Sequence, residues 1–128
     1  MKICVTATAA SIDAQIDPRF GRCAYFLFID FETLQFEAVP NISIGASSGA
    51  GIQAAQTVAN KGSHMLITGN VGPKAYGALS AAGIEVFVGA FGTAREAVEK
   101  FKKGELGKIS SPTVGGHFGL GGRRRWRP

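Results

Sequence analysis

The chain lacks the features that would place it in a membrane or in a disulfide-rich class. No apolar run approaches the roughly 20 residues that span a bilayer, and no hydrophobic stretch with a cleavage site follows Lys2. Two cysteines, Cys4 and Cys23, are too few for a disulfide scaffold. At 128 residues the chain can bury one core. We therefore expect a cytoplasmic domain with reduced thiols and no membrane partner.

Carboxylates are missing from the positions that a two-metal nuclease needs. Such enzymes hold a metal pair with several converging carboxylates, but the first predicted strand, residues 2–8, and the first predicted helix, residues 51–60, contain none. The turn after the fourth strand offers Asn70 instead of an aspartate. Neither His64 nor His117 has neighbours that form a catalytic triad. We therefore predict that the protein is not an enzyme.

The net charge of +5 comes from the C-terminus. Four of the 14 basic residues are arginines within residues 123–127, which leaves ten basic against nine acidic residues over 1–121. A near-neutral body lacks the basic face of nucleic-acid-binding domains, so we do not expect the body to bind nucleic acid. Association with single strands through the basic tail stays an alternative, with Trp126 as the stacking residue.

Hydrophobic periodicity predicts an α/β domain with the element order β-β-β-α-β-α-β-α. The predicted strands are residues 2–8, 24–30, 35–39, 65–68 and 84–88, and the predicted helices are residues 51–60, 73–82 and 94–103. Short connections between the first three strands indicate an antiparallel meander. Two α–β crossovers then predict a mixed five-stranded sheet in the order 3-2-1-4-5, which is the ribonuclease H-like arrangement.

Residue types at the helix ends support these bounds. Lys61 and Gly62 provide a cation and a C′ glycine after the first helix. Thr93 and Glu96 have the spacing of a capping box before the third. The first-helix residues expected on one buried face are Ile52, Ala55, Val58 and Ala59. The domain is thus expected over 1–108, with a disordered Gly/Arg-rich tail over 109–128.

The segment 65–79 is expected to form the centre of a binding site. A strand is followed by a Gly/Asn turn, and Pro73 stands where a first helical residue belongs. Ligands usually bind at such strand–helix junctions of a parallel sheet, and the N–H groups of a helix N-terminus favour an anion. We therefore predict that Gly69 and Asn70 line an anion-binding wall.

Residues 17–22 read Asp-Pro-Arg-Phe-Gly-Arg and have two interpretations. In the first, the aspartate pairs with an arginine and the aromatic ring packs in the core. In the second, the two guanidinium groups clamp an anion, which they bind in a fork. The candidate binding residues of this loop are Arg19, Phe20, Gly21 and Arg22. The predicted strand order places the loop at the same sheet edge as the 69–70 turn.

A hydroxyl pair and a glycine precede the first predicted helix, at Ser47, Ser48 and Gly49. Serine capping of the helix is one interpretation, and presentation of helix N–H groups to an anion is the other. The segment is not a phosphate-binding loop of the Gly-Lys-Ser/Thr type, because no such triplet follows.

The two cysteines are expected to differ. Cys4 lies inside the first predicted strand, where a free cysteine behaves as a small core residue. Cys23 follows Arg22 at the start of the second strand. Neighbouring cations would lower the pKa of its thiol and expose a thiolate suited to a soft metal. Cys23 is therefore the candidate metal ligand.

Four segments stand in the order found in one known family. They are Asp17-Pro18-Arg19-Phe20-Gly21-Arg22, Gly49-Ala50-Gly51-Ile52-Gln53-Ala54-Ala55, Ile67-Thr68-Gly69-Asn70-Val71-Gly72-Pro73 and Ala82-Gly83-Ile84. Residues 1–108 thereby resemble the dinitrogenase iron–molybdenum cofactor biosynthesis family, the group of NifX, NafY and the NifB C-terminal domain. The resemblance implies a ribonuclease H-like fold and non-enzymatic binding or carrying of an iron–molybdenum cofactor or an iron–sulfur precursor. It also implies metallocluster donor or acceptor proteins as partners.

Two positions depart from the nitrogen-fixation members of that family. Those members often carry histidine before the Phe-Gly pair and in the glycine loop, where this chain has Arg19 and the pair Ser47-Ser48. Because of these departures, the chain offers no imidazole ligand to a metal at these positions. An anionic cluster with soft sulfides suits arginines and helix N-termini. The alternative function is a regulatory protein that binds a small anion with the same donors.

Overall fold

The computed structural model describes residues 2–45 and 49–113. The elements are β1 Lys2–Ala7, β2 Tyr25–Asp30, β3 Phe36–Pro40, α1 Ala50–Asn60, β4 Met65–Ile67, α2 Pro73–Ala81, β5 Glu85–Val88, α3 Ala94–Lys102 and β6 Gly107–Lys108. All eight predicted elements are present, and their bounds agree with the prediction to one residue at each end. Among the described residues, no helix has the length and apolar character needed to cross a membrane.

The strands form one mixed sheet in the order β3-β2-β1-β4-β5-β6. The first three strands pair antiparallel, and β1, β4 and β5 are parallel to one another. The predicted order 3-2-1-4-5 and the ribonuclease H-like arrangement are confirmed. The predicted strand count is wrong, because β6 pairs antiparallel with β5. Two residues are too short to give a periodic signal, but they cover an otherwise open sheet edge.

Two apolar clusters cover the two faces of the sheet. The α1/α2 side includes Phe20, Phe26, Phe28, Leu66 and Leu79. The α3 side includes Ile3, Val5, Leu27, Ile67 and Val98. Alternation along β1 sends Cys4 to the first cluster and its two neighbours to the second. The central strand is thus buried on both sides, as its unbroken run of apolar and small residues indicates.

The buried face of α1 differs from the predicted one. Its buried residues are Ala50, Ala54, Ala55 and Val58. Ile52 is 38% exposed and Ala59 is also exposed, so the prediction that they face the core is wrong. A Cβ atom at Gly51 would lie 2.8 Å from the Cβ of Ala75, which shows how closely α1 approaches α2. This helix–helix contact sets the rotation of α1 about its axis.

Most of the predicted helix ends are confirmed. Thr93 Oγ1 accepts from the N–H of Glu96 at 3.1 Å, and Glu96 Oε1 accepts from the N–H of Thr93 at 2.8 Å, so the capping box is formed. Lys61 is the C-cap of α1, and Gly62 follows with φ +77°. The prediction of a serine at the N-cap of α1 is wrong, because Gly49 holds that position with φ +75°.

The chain after β6 remains attached to the domain as far as Thr113. The N–H of Ile109 donates to Val86 O at 3.0 Å, and the N–H of Thr113 donates to Val71 O at 3.0 Å. The predicted tail of residues 109–128 therefore begins with a hydrogen-bonded segment. Its disorder over residues 114–128 stays a prediction, since that segment lies outside the described residues.

Two glycine substitutions should have opposite effects on stability. A Cβ at Gly69 would lie 2.7 Å from Cα of Pro18, so Gly69→Ala should lower the free energy of unfolding by about 1–3 kcal/mol. A Cβ at Gly77, inside α2, would meet nothing within 4 Å. Gly77→Ala is thus the matched control and should raise the free energy of unfolding by up to about 1 kcal/mol. Urea unfolding measures both; equal stability of the two variants would contradict the close approach at Gly69.

Candidate functional site

The loop before β2 and the turn after β4 lie side by side at the carboxyl ends of β1 and β4. Arg19 and Asn70 form an isolated parallel bridge, and the N–H of Asn70 donates to Pro18 O at 2.8 Å. The predicted closeness of these two segments is confirmed. In open α/β sheets, this edge is where ligands bind.

A pair of buried threonines fixes this junction. Thr6 Oγ1 donates to Asp17 O at 2.6 Å, and it lies 2.8 Å from Oγ1 of Thr68. Both threonines are fully buried, and the N–H of Asp17 also donates to Thr6 O at 2.9 Å. The end of β1, the end of β4 and the loop are therefore joined by hydrogen bonds inside the core.

A depression of about 410 Å³ lies between this loop and the N-termini of α1 and α2. It is lined by Phe20 and Gly21 from the loop, Gly51 from α1, and Asn70 with residues 72–75 from the β4–α2 junction. A Cβ at Gly21 would lie 3.0 Å from the backbone N of Gly51, so only glycine allows the loop to come this close to α1. The absence of a side chain at Gly51 in turn allows α1 to meet α2.

The electrostatic surroundings of the depression are positive. The first N–H groups of a helix have no intrahelical partner, and they carry partial positive charge. Neither α1 nor α2 has an acidic residue in its first turn, where a carboxylate would be favourable. Lys74 occupies the first turn of α2 instead and forms no ion pair among the described residues. Residues 38–84 contain no acid at all.

Arg19 is held on a buried carboxylate next to the depression. Asp17 is 2% exposed and accepts from Nε and Nη2 of Arg19 at 3.1 and 3.2 Å. The N–H of Arg19 also donates to Oδ1 of Asp17 at 3.1 Å. This hydrogen bonding raises the pKa of the guanidinium group above its usual value. The first interpretation of the loop is therefore confirmed for the ion pair, and much of the charge of Arg19 is compensated.

The remaining predicted site residues fall into three groups. Phe20, Gly21 and Asn70 line the depression, although Phe20 is also a core residue whose ring centroid lies 6.0 Å from that of Phe26. Arg22 is exposed and donates from Nη1 to Ile44 O at 2.9 Å. The third group comprises the other four residues. Gly49 caps α1, and Gly69 packs on Pro18. Ser47 and Ser48 lie outside the described residues.

Cys23 is not an exposed thiolate. It is fully buried, and burial, followed by the negative charge of Asp17, raises the pKa of its thiol to about 12. Burial also raises the pKa of Cys4. The predicted lowering of the Cys23 pKa is wrong, because Arg19 lowers it by less than burial raises it. In the part of the chain that the structure describes, no three His, Cys, Asp or Glu residues are grouped to hold a metal ion.

Two contributors to the site were not among the predicted residues. Asn41 Nδ2 donates to the carbonyl oxygens of Gly21 and Cys23 at 3.1 and 2.9 Å, and its Oδ1 accepts from the N–H of Ser43 at 3.0 Å. It thereby fixes the loop against the segment leading to α1. An Asn followed two residues later by Ser is typical of an Asx turn. Lys74 could have been found as a cation placed where the helix dipole disfavours one.

These features define a ribonuclease H-like α/β domain whose candidate site is a positive depression at two helix N-termini. A family model described as "Dinitrogenase iron-molybdenum cofactor" matches residues 1–104. The chain belongs to this family. A curated relative, an uncharacterised protein of Methanocaldococcus jannaschii, is 30% identical over 113 residues, which cover 85% of this chain and 96% of the relative.

Solved structures agree with this assignment. The apo form of the orange protein from Desulfovibrio gigas is 44% identical with a TM-score of 0.85, covering 88% of this chain and 96% of that one. A putative NifB protein from Thermotoga is 31% identical with a TM-score of 0.77, covering 88% and 97%. The predicted family, fold and cofactor-biosynthesis class are therefore confirmed.

The buried thiols should make stability depend on alkaline pH. The folded state keeps the Cys23 proton up to about pH 12, whereas the unfolded state loses it near its usual pKa of 9.0. This contribution is complete below pH 9 and is lost as the pH rises toward 12. The free energy of unfolding should fall by about 1.4 kcal/mol per pH unit for each such thiol.

Urea unfolding in reducing buffer between pH 8 and 10.5 measures this dependence. In Cys23→Ala, the free energy of unfolding should fall less steeply with pH, by the contribution of one thiol. This holds whatever the substitution does to stability at pH 8. Identical slopes for both proteins would show that Cys23 does not retain its proton in the folded state.

Proposed function

We propose that the protein binds an anionic metallocluster, an iron–molybdenum cofactor or an iron–sulfur precursor of it, and carries it without catalysing a reaction. The cluster is cargo in this proposal: it arrives from one protein and leaves to another. The donors and acceptors are proteins of metallocluster assembly. The family description supports the class of cargo, and the neighbour solved as an apo form supports binding of some group.

The charge of the depression is the observation that carries the proposal. Two helix N-termini meet there, Lys74 stands in the first turn of one of them, and neither first turn contains an acid. A cation in this position is unfavourable for an isolated helix. An anion in the depression would remove that cost, because it would interact favourably with Lys74 and with both helix dipoles.

The donor set favours reversible binding over direct metal ligation. The residues that line the depression include Asn70 and Lys74, whose amide and ammonium groups can donate hydrogen bonds to the outer surface of an anion. The two cysteines are buried, and their raised pKa values keep the thiols protonated. A cluster held by charge and hydrogen bonds can leave without breaking a metal–thiolate bond, which suits a carrier.

Binding of isolated iron–molybdenum cofactor should depend on Lys74. In anaerobic titrations followed by absorbance, Lys74→Gln should weaken the cofactor affinity about tenfold, which corresponds to about 1.4 kcal/mol. Lys61→Gln is the matched control and should bind as the unsubstituted chain does. It removes a lysine at the opposite end of α1, where Nζ is paired with Glu37 at 2.8 Å.

Three results would contradict the proposal or part of it. The first is the absence of any cofactor binding to reduced, folded protein. The second is binding of inorganic phosphate with the affinity found for the cofactor, which would favour the regulatory small-anion alternative. Chemical change of the bound cofactor, tested by comparing its metal content and spectrum before and after release, would contradict the non-catalytic part.

A further inference from the structure

The outer edge of β3 carries backbone groups that β2 does not use. In the described part of the chain, β3 is an edge strand of the sheet and pairs with β2 alone. The N–H of Asn41, just past the end of β3, donates to Ala24 O at 3.0 Å. Opposite residues of an antiparallel pair alternate between bonded and non-bonded positions. The backbone groups of Phe36, Ala38 and Pro40 therefore point away from β2.

These outward groups match those of a second copy of the same strand. They are the N–H and C=O groups of Phe36 and Ala38 and the C=O group of Pro40, which has no N–H. If Ala38 stands opposite Ala38 of an antiparallel copy, Phe36 stands opposite Pro40. The two Ala38 residues then exchange hydrogen bonds, and each Phe36 N–H donates to Pro40 O of the other copy. Every outward N–H is thus satisfied, and the carbonyl of Phe36 is the outward acceptor left without a donor.

The same pairing covers an exposed aromatic ring. Phe36 is 41% exposed and belongs to neither apolar cluster of the sheet. It lies on the same face of β3 as Ala38 and Pro40, because side chains alternate along a strand. In the pairing, the Phe36 ring of each copy packs against Pro40 of the other as a cross-strand neighbour. Both rings are thereby removed from water, which favours association.

Charge selects this register over its neighbours. A pairing centred on Glu37 would also bond every outward N–H, but it would place the two Glu37 side chains directly opposite each other, which is unfavourable for like charges. Centring on Ala38 places Glu37 opposite Val39, and each Glu37 keeps its own ion pair with Lys61 at 2.8 Å. A pairing centred on Val39 bonds fewer N–H groups, because Phe36 would then face the turn after β3.

We propose that β3 is a dimerisation strand, and that two copies of this chain pair their β3 edges antiparallel about a two-fold axis at Ala38. The two sheets join into one, and neither β3 edge stays open to other chains. β3 runs parallel to β1, and the pairing reverses its direction in the second copy. The two depressions therefore open at opposite ends of the joined sheet, so the dimer does not depend on the proposed function.

Sedimentation equilibrium of the full chain in reducing buffer tests the dimer. The short pairing buries less than the roughly 1,600 Å² of a standard interface, so we expect a dissociation constant on the order of 0.1 mM. As the concentration is raised through this value, the average mass should increase from the chain mass of 13.4 kDa towards twice that mass. A chain that stays monomeric at about 1 mM overturns the inference and leaves the edge to an extended segment of another protein.

Substitutions in β3 test the place of the contact. Phe36→Lys should raise the dissociation constant about tenfold or more, because it replaces an apolar contact by a charge at a sheet edge. Ala38→Pro should act likewise, since it removes an outward N–H and no bond to β2. Phe91→Lys is the matched control: this ring is 73% exposed in the loop after β5, and its loss should leave dimerisation unchanged.

Far-UV circular dichroism and urea unfolding establish that all three variants are folded. Dimerisation that persists in both folded β3 variants would lie elsewhere on the surface and would overturn the inference. Equal weakening by Phe91→Lys and Phe36→Lys would show a general effect of added charge, and it would overturn the inference as well.

Cysteine cross-linking tests the register. The Cα atoms of a directly opposite, hydrogen-bonded pair are about 5.5 Å apart, which a disulfide can span. Two residues at position 36 would lie four strand positions apart, or about 13 Å. With oxidised glutathione, Ala38→Cys should therefore form an intermolecular disulfide faster than Phe36→Cys, although position 36 is the more exposed. Cys4 and Cys23 are buried in both variants. Faster cross-linking at position 36, which random collision would give, overturns the two-fold pairing.

Discussion

The crossing of the loop before β2 over the turn after β4 is the contact on which the candidate site depends. It needs a glycine at position 69, because a side chain there would collide with Pro18, and it is fixed by the hydrogen bond from Asn70 to Pro18. The same loop reaches α1 through Gly21. Removing either close approach would separate the loop from the helix N-termini that form the depression.

The charged side chains around this crossing are of two kinds: those that hold the loop in place and those that border the depression. The carboxylate of Asp17 is buried and pairs with Arg19, so this acid stabilises the loop instead of facing the depression. Lys74 is left beside the helix N-termini without an acidic neighbour in the first turn. The depression is thus positive although the body as a whole is nearly neutral, which explains why composition alone gives no sign of an anion site.

Local patterns predicted nearly all of the fold. Strand and helix signals depend on neighbouring residues, so the eight longer elements, the order 3-2-1-4-5 and the Thr93 capping box could be predicted before the structure. The strand β6 could not, because it has two residues and exists only by pairing with β5. The exposure of Ile52 could not either, because contact with α2 sets the rotation of α1.

The sequence by itself determined the family, the sheet order and the segments that meet at the site edge, since each depends on residue types in a fixed order along the chain. Only the tertiary structure decided which side chains are protonated and which are compensated by an ion pair. Cys23 is protonated because burial outweighs its cationic neighbour, and Arg19 is compensated because a buried carboxylate faces it. Burial and pairing depend on distances between residues remote in the chain, which no local pattern specifies.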